Sequence, residues 1–311
     1  MTSASNQPNR WILAAFVAVV VIGGTNFVAV RFSNRELPPF WGASIRFFAA
    51  AAVLAVFAFV QRLEFPRGLA FLGAVAFGVI GFGAFYALAY WGLQRASAGL
   101  AAVTIASTPL LTFGLAVAHG QEPFRWRPLA GGLVALAGIA TMFRGSVSET
   151  VPILSLLALI VAAGSAAEGS VIVKWFPKTH PVTTNVVAML TGALVLLILS
   201  LIAGEPRPLP TQASTWAALA YLVVLGSSML FVLFLYVLKY WSASSVAYQF
   251  VLFPLVAVSM SVLLEQTSFP PTLIVGMLLV LGGVYIGIVS RVPFVRTPQK
   301  LGTEPCVNCP E

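Results

Sequence analysis

Long apolar runs alternate with short polar breaks through almost the whole chain. Ten runs reach or approach the ~20 residues that cross a bilayer: 11–31, 38–60, 68–93, 97–118, 128–144, 152–174, 181–203, 214–238, 243–264 and 271–290. The breaks carry the charges and prolines, as in Arg35-Glu36-Leu37-Pro38-Pro39 and Gly204-Glu205-Pro206-Arg207-Pro208. None is long enough for a soluble domain. The pattern predicts an all-α polytopic membrane protein whose chemistry lies inside the membrane or at its faces. A transmembrane barrel would show short alternating segments instead.

The runs also repeat. Residues 97–118 and 242–264 match, and Ala98/Ala243, Pro109/Pro254, Gly131/Gly276 and Gly138/Gly283 share one offset, 145 residues. Earlier spans align more loosely: Ile12-Leu13 with Ile153-Leu154, Gly23 with Gly164, and Tyr86, Tyr90 and Trp91 with Tyr236, Tyr240 and Trp241. Ten transmembrane helices in two copies means five per copy. An odd number flips the second copy, so the expectation is two inverted five-helix repeats, 11–144 and 152–291. A cytoplasmic lead (1–10) and a disordered cytoplasmic tail (292–311) flank them. Inverted repeats are typical of secondary transporters, with a site near the midplane where the copies meet.

Composition sharpens this. The chain is 59% hydrophobic and 8% charged, with a mean hydropathy of +0.96, against about a quarter charged in soluble domains. The net charge of +8 sits in short loops. It reads as a topology signal, and no nucleic-acid partner is expected. Placing Arg10, Arg62, Arg67, Arg125, Arg127, Lys174, Lys178, Lys239, Arg291, Arg296 and Lys300 inside leaves Arg31, Arg35, Arg95, Arg144 and Arg207 outside. Both termini are then cytoplasmic. The polar lead without a cleavage site predicts a retained first helix. Cys306 and Cys309 form one CxxC with no second pair, so neither metal nor cofactor is expected. Small-residue faces at Gly131, Ala135 and Gly138, and at Gly283 and Gly287, predict helix packing and leave oligomerisation open.

Candidate chemistry is sparse. All nine acids are Glu, and Glu168 alone lies within a span. An intramembrane carboxylate is costly unless paired, hydrated or protonated. Glu168 is either a proton carrier, a partner for a substrate ammonium, or a hydrogen-bonded structural acid. Counting from Gly23 and Gly164 puts it on a similar face to Asn26, near Asn26 and Gln249. Thr25 and Asn26 follow two glycines and need partners. Thr104, Ser107, Thr108 and Thr112 fall on one helical face; they either bind a solute or satisfy carbonyls freed by Pro109. Gln249 matches Thr104 by the repeat offset. Phe82, Phe85 and Tyr86, with Ser227, Ser228, Phe231 and Tyr248, would suit an amphiphilic solute with an apolar side chain, or simply pack. Pro109 and Pro254 are hinge candidates. Arg46 lies too far from Glu168 for direct pairing; it is expected to bind helix-end carbonyls or snorkel outward, with substrate binding as the alternative.

Several phrases carry a family resemblance: Gly24-Thr25-Asn26-Phe27-Val28-Ala29-Val30; Pro38-Pro39 with Arg46-Phe47; Ala96-Ser97-Ala98 with Pro109 and Glu122; and Ser242-Ala243-Ser244 with Pro254 and Glu265. Over about residues 10–291 the chain resembles the drug/metabolite transporter superfamily, in its ten-span EamA type. The resemblance implies a central cavity lined by spans 1, 3, 4, 6, 8 and 9. It also implies alternating access and a bacterial inner-membrane exporter of small metabolites, amino acids above all. An intramembrane enzyme, which needs gathered acid–base or metal groups, and a non-transporting sensor or assembly subunit are the rival readings.

Overall fold

The computed structural model describes residues 10–94, 96, 98–144, 152–265 and 271–288. The lead 1–9, Arg95, Ser97 and the tail with Arg291, Arg296, Lys300, Cys306 and Cys309 lie outside them. Among the described residues there are helices and no strands. The helices are α1 (Arg10–Ser33), α2 (Pro39–Val60), α3 (Leu69–Leu93), α4 (Gly99–Ala118), α5 (Trp126–Met142), α6 (Ile153–Trp175), α7 (Pro181–Ile202), α8 (Ala213–Tyr240), α9 (Ala243–Met260) and α10 (Pro271–Gly287). Eight of them, α1–α4 and α6–α9, are long and apolar enough to cross a membrane. Helices α5 and α10 have 17 residues each.

Four helices are irregular, and the irregularities fall in matching places. Helix α3 widens to a π-helix over Gly78–Ala84, and α8 does so over Val224–Met229. Such stretches are rare and re-aim backbone carbonyls. Helix α4 breaks between Ile105 and Thr108, with Pro109 opening the second piece; proline has no N–H to continue the ladder. Helix α9 opens with Ala243–Ala247, turns at Tyr248 and resumes at Gln249, its helical path running on past Met260 to Glu265. Pro254 lies inside the second piece. The two hinge candidates therefore differ: Pro109 coincides with a break, and Pro254 does not.

Packing pairs equivalent helices. Helices α2 and α7 run antiparallel: the Thr183 hydroxyl at the start of α7 donates to the Glu64 carbonyl beyond the end of α2 (3.0 Å). Midway, Ser44 Oγ donates to the Ala193 carbonyl (3.0 Å). Helices α5 and α10 are also antiparallel, with Gly131 against Gly283 and Gly287, and Gly138 against Gly276 and Val280. The small-residue faces are thus used within the chain. Helix α1 packs on α8 and α9, and α6 packs correspondingly on α3 and α4.

Loop glutamates tie the ends. After α4 and α7 the chain turns through Gly120 and Gly204, both with positive φ (68° and 65°). Bonds from Gln121 N to Ala116 O and from Glu205 N to Ser200 O close two Schellman motifs. Each turn delivers a glutamate to another helix's N-terminus, where free N–H groups favour a carboxylate. Glu205 accepts from the Phe40 and Trp41 amides of α2 (3.2 and 2.9 Å). Glu122 accepts from Ser244 N (3.1 Å) and Ser244 Oγ (2.5 Å) of α9. Glu36 accepts from the Thr211 hydroxyl, Thr211 N and Gln212 N just before α8. The Thr211 hydroxyl foremost holds the Glu36 carboxyl down at about 2, against an ordinary 4.5. A depressed folded-state value means that the stabilisation is complete above about 4.5 and fades as pH falls through about 2. Glu36→Gln should therefore lower the unfolding temperature at pH 7. The gap to the parent should close on acidification across that window; a pH-independent gap would rule out the ionic cap.

Candidate functional site

The polar residues of the bundle interior converge where the α8 π-stretch meets α1 and α2. Arg46 of α2 is 3% exposed. Its Nε donates to Ser227 Oγ (2.6 Å) and its Nη2 to the Gly226 carbonyl (2.8 Å). The same carbonyl accepts from Asn26 Nδ2 of α1 (3.1 Å). Beside it, Ser228 Oγ donates to Val223 O (2.8 Å). Thr25 Oγ1 back-bonds to Val21 O and Ile22 O and meets the Tyr221 hydroxyl of α8. In place of snorkelling, Arg46 is held inside by the groups that the π-stretch presents.

Two features of this junction remain unsatisfied. The hydrogen bonds of Arg46 to Ser227 and Gly226 end on neutral groups, and no carboxylate pairs with it among the described residues. A buried cation without a counter-charge is costly. Asn26 Oδ1 is buried with no hydrogen-bond partner. An unpaired cation and an orphan acceptor thus share one carbonyl's surroundings.

Aromatic rings flank the guanidinium. It lies 5.2 Å from the Phe47 centroid and 5.8 Å from that of Tyr86, within cation–π range. Phe47 in turn meets Tyr86 (4.8 Å), Phe82 (5.0 Å) and Phe231 (6.3 Å), and Tyr86 meets Phe85 (5.0 Å). Phe85, Tyr86 and Phe231 are half-buried. Phe82 is fully buried beneath the close approach of Gly192 on α7. Its place in the core matches the packing alternative.

The other sequence candidates lie apart from this junction. Thr104, Ser107 and Thr108 each donate to a carbonyl three or four residues back: Leu100 O, Thr104 O and Ile105 O. The α4 break also separates Thr104 from Thr108 and Thr112, so the expected single face does not form. The Tyr248 hydroxyl donates to Pro128 O of α5 (2.9 Å), and its ring is buried beside Gly132 and Gly287. The turn at Tyr248 aims it at α5 and α10, away from the junction. Gln249 is 3% exposed, with Oε1 unpartnered.

Glu168 meets His119, 3.6 Å away at the end of α4. Its second oxygen is buried without a hydrogen-bond partner. His119 Nδ1 lies 2.9 Å from Leu115 O, and its ring meets Trp175 edge-on. The expected contact with Asn26 is corrected: Asn26 is held by Gly226, and Glu168 by His119. The aligned glycines explain the failure, since Gly23 packs on Phe253 whereas Gly164 faces open space. A groove opens at the ends of α3, α6, α7 and α8; none of the candidate site residues lines it, and Lys174, Lys178 and Lys239, read from sequence as topology charges, do.

Sequence reasoning listed Asn26, Ser227, Tyr86 and Phe231, which the fold does gather. It set the residue at their centre, Arg46, chiefly to a structural role, although a lone cation inside an apolar span also signals function.

Comparison with known proteins agrees with this architecture. The model of the EamA-like transporter family matches residues 9–144 and again 153–289. The uncharacterized inner membrane transporter YedA of Escherichia coli strain K12 is 28% identical over 246 residues, covering 76% of this chain and 78% of that protein. The uncharacterized transporter YyaM of Bacillus subtilis strain 168 is 25% identical over 290 residues, covering 90% and 94%. One crystal structure of a protein matches with a TM-score of 0.78 at 17% identity, over 91% of this chain and 98% of the other; that likeness is one of fold. With the family model matched once on each half of a chain of membrane-length helices, the protein is a multi-pass membrane transporter and belongs to the EamA-like transporter family of the drug/metabolite transporter superfamily.

Proposed function

We propose that the protein is a secondary transporter that exports small metabolites, amino acids foremost, across a bacterial inner membrane. It works by alternating access between two inverted five-helix repeats, with both termini cytoplasmic. The observation that carries the substrate class is the junction at Arg46. A free amino acid brings a carboxylate for the unpaired guanidinium and an ammonium for the orphan Asn26 Oδ1. Its side chain then meets the rings of Phe85, Tyr86 and Phe231. The antiparallel pairing of α2 with α7 and of α5 with α10 supports inverted repeats, because equivalent helices then point in opposite directions. The E. coli relative, named an inner membrane transporter, supports the membrane.

The test is flux in proteoliposomes loaded with a panel of amino acids, their methyl esters and the corresponding amines. Efflux of free amino acids, with esters and amines excluded, is the expected result. Amine efflux equal to amino-acid efflux would remove the carboxylate role. Absence of any solute flux would favour a sensor or assembly subunit.

Glu168 enters this reading as the proton-handling group, partnered by His119. Glu168→Gln should abolish uptake driven by a pH gradient and retain downhill exchange. Equal loss of both modes would instead make it a substrate contact. Normal flux with reduced thermal stability would make it structural.

A further inference from the structure

The groove at the ends of α3, α6, α7 and α8 is separate from the Arg46 junction. Its walls are of two kinds. Ala70, Val173, Phe176 and Pro177 supply an accessible apolar side, and Lys174, Lys178 and Lys239 supply three ammonium groups. None of its lining residues is acidic. Lys174 closes the last turn of α6 and Lys239 that of α8, so the groove lies where these helices leave the apolar layer. Lys174 is half-buried and donates to the Trp241 carbonyl (2.6 Å). Lys178 and Lys239 are exposed; the Lys239 ammonium lies 5.6 Å from the Tyr240 ring centroid, a contact that leaves its N–H groups available to an anion. The Thr179 and Thr184 hydroxyls, 2.6 Å apart, add polar groups beside them. Like charges gathered around a half-apolar groove repel one another unless an anion joins them. A free anion would leave the apolar wall unused. A molecule with a phosphate on an apolar body uses both walls.

We propose that this groove binds the phosphate headgroup of an anionic phospholipid, with Lys178 and Lys239 on the phosphate and the acyl chains along Ala70, Phe176 and Pro177. Basic pockets between membrane helices favour such headgroups.

The test uses the full-length protein in detergent, titrated with phosphatidylglycerol or phosphatidylcholine and followed by thermal unfolding and native mass spectrometry. Phosphatidylglycerol should raise the unfolding temperature and remain bound, and phosphatidylcholine should do neither. The double variant Lys178→Ala/Lys239→Ala should bind phosphatidylglycerol about thirty-fold more weakly, with unchanged stability in phosphatidylcholine. Lys178→Arg/Lys239→Arg should retain binding, because the charge is kept. Lys174 is left intact, since its bond to Trp241 makes it part of the fold. Inorganic phosphate should compete with the lipid while protecting less; protection by inorganic phosphate equal to that by phosphatidylglycerol would overturn the lipid assignment. Equal lipid protection of the parent and the Ala variant would overturn the site.

Discussion

Arg46→Met leaves a folded protein that no longer moves amino acids. Removing the guanidinium takes away a buried charge with no carboxylate partner among the described residues. Replacing buried charge by an apolar side chain of similar length is often neutral or stabilising. Against this stands the lost donor to Ser227 Oγ and to the Gly226 carbonyl, although Asn26 Nδ2 still serves the latter. The unfolding temperature should therefore stay within a few degrees of the parent. Flux should fall by at least about tenfold, the scale of one charge-assisted hydrogen bond of ~1.5–3 kcal/mol. Arg46→Lys is a sharper probe. It keeps the charge, but one ammonium cannot reproduce a fork whose Nε and Nη2 serve different partners. It should also lose most flux, with the loss in affinity for the carboxylate. Fluorescence-monitored unfolding and amino-acid efflux on the same preparations separate the outcomes. Normal flux per folded molecule in Arg46→Met would make Arg46 a packing residue and remove the support it lends to the substrate class.

The second large effect is on assembly. At Gly138 an added β-carbon would lie 2.7 Å from the Gly276 carbonyl oxygen and from Val280 N. At Gly131 it would lie 2.6 Å from Gly283 O and Gly287 N. These are backbone atoms, so no rotamer change can relieve the overlap, and α5 must move away from α10. In a bilayer the separated faces regain no hydrophobic stabilisation, because helix association there rests on close packing. Gly138→Val should cost about 3 kcal/mol or more and sharply lower the unfolding temperature and the yield of monodisperse protein. Gly164→Ala on α6 is the control. Nothing lies within 4 Å of its added β-carbon, and removing a helix-interior glycine favours the helix by roughly 0.5–1 kcal/mol. A Gly138→Val protein as stable as this control would refute the close α5–α10 contact.

What could be read from sequence follows from which forces are local. Bilayer thickness imposes a length on every crossing, so the run 181–203 became Pro181–Ile202 and 38–60 became Pro39–Val60. The π-stretches escaped because a widened helix keeps the same apolar composition. The clusters Gly78, Gly81, Gly83 and Gly226-Ser227-Ser228 were their only trace. Without them, Ser227 read as a solute ligand, and the carbonyl that Arg46 was expected to bind could not be placed at Gly226. Tyr248 was grouped with its neighbour Gln249, but one residue of turn sends it to Pro128. Glu36, Glu122 and Glu205 looked like loop charges. Their partners lie 122–176 residues away, a distance that no local pattern encodes.

Those three glutamates also bear on how the chain can be divided. Glu36 and Glu122 arise in the first half and serve helix starts in the second, whereas Glu205 arises in the second and serves α2. A half made alone would present bare amide ends at α2, or at α8 and α9, inside or beside the membrane. Two separately translated fragments, severed between Arg144 and Pro152, would each carry what the other lacks. Fragment complementation is thus written into the loops: neither piece should persist by itself, and co-expression should rescue both against proteolysis.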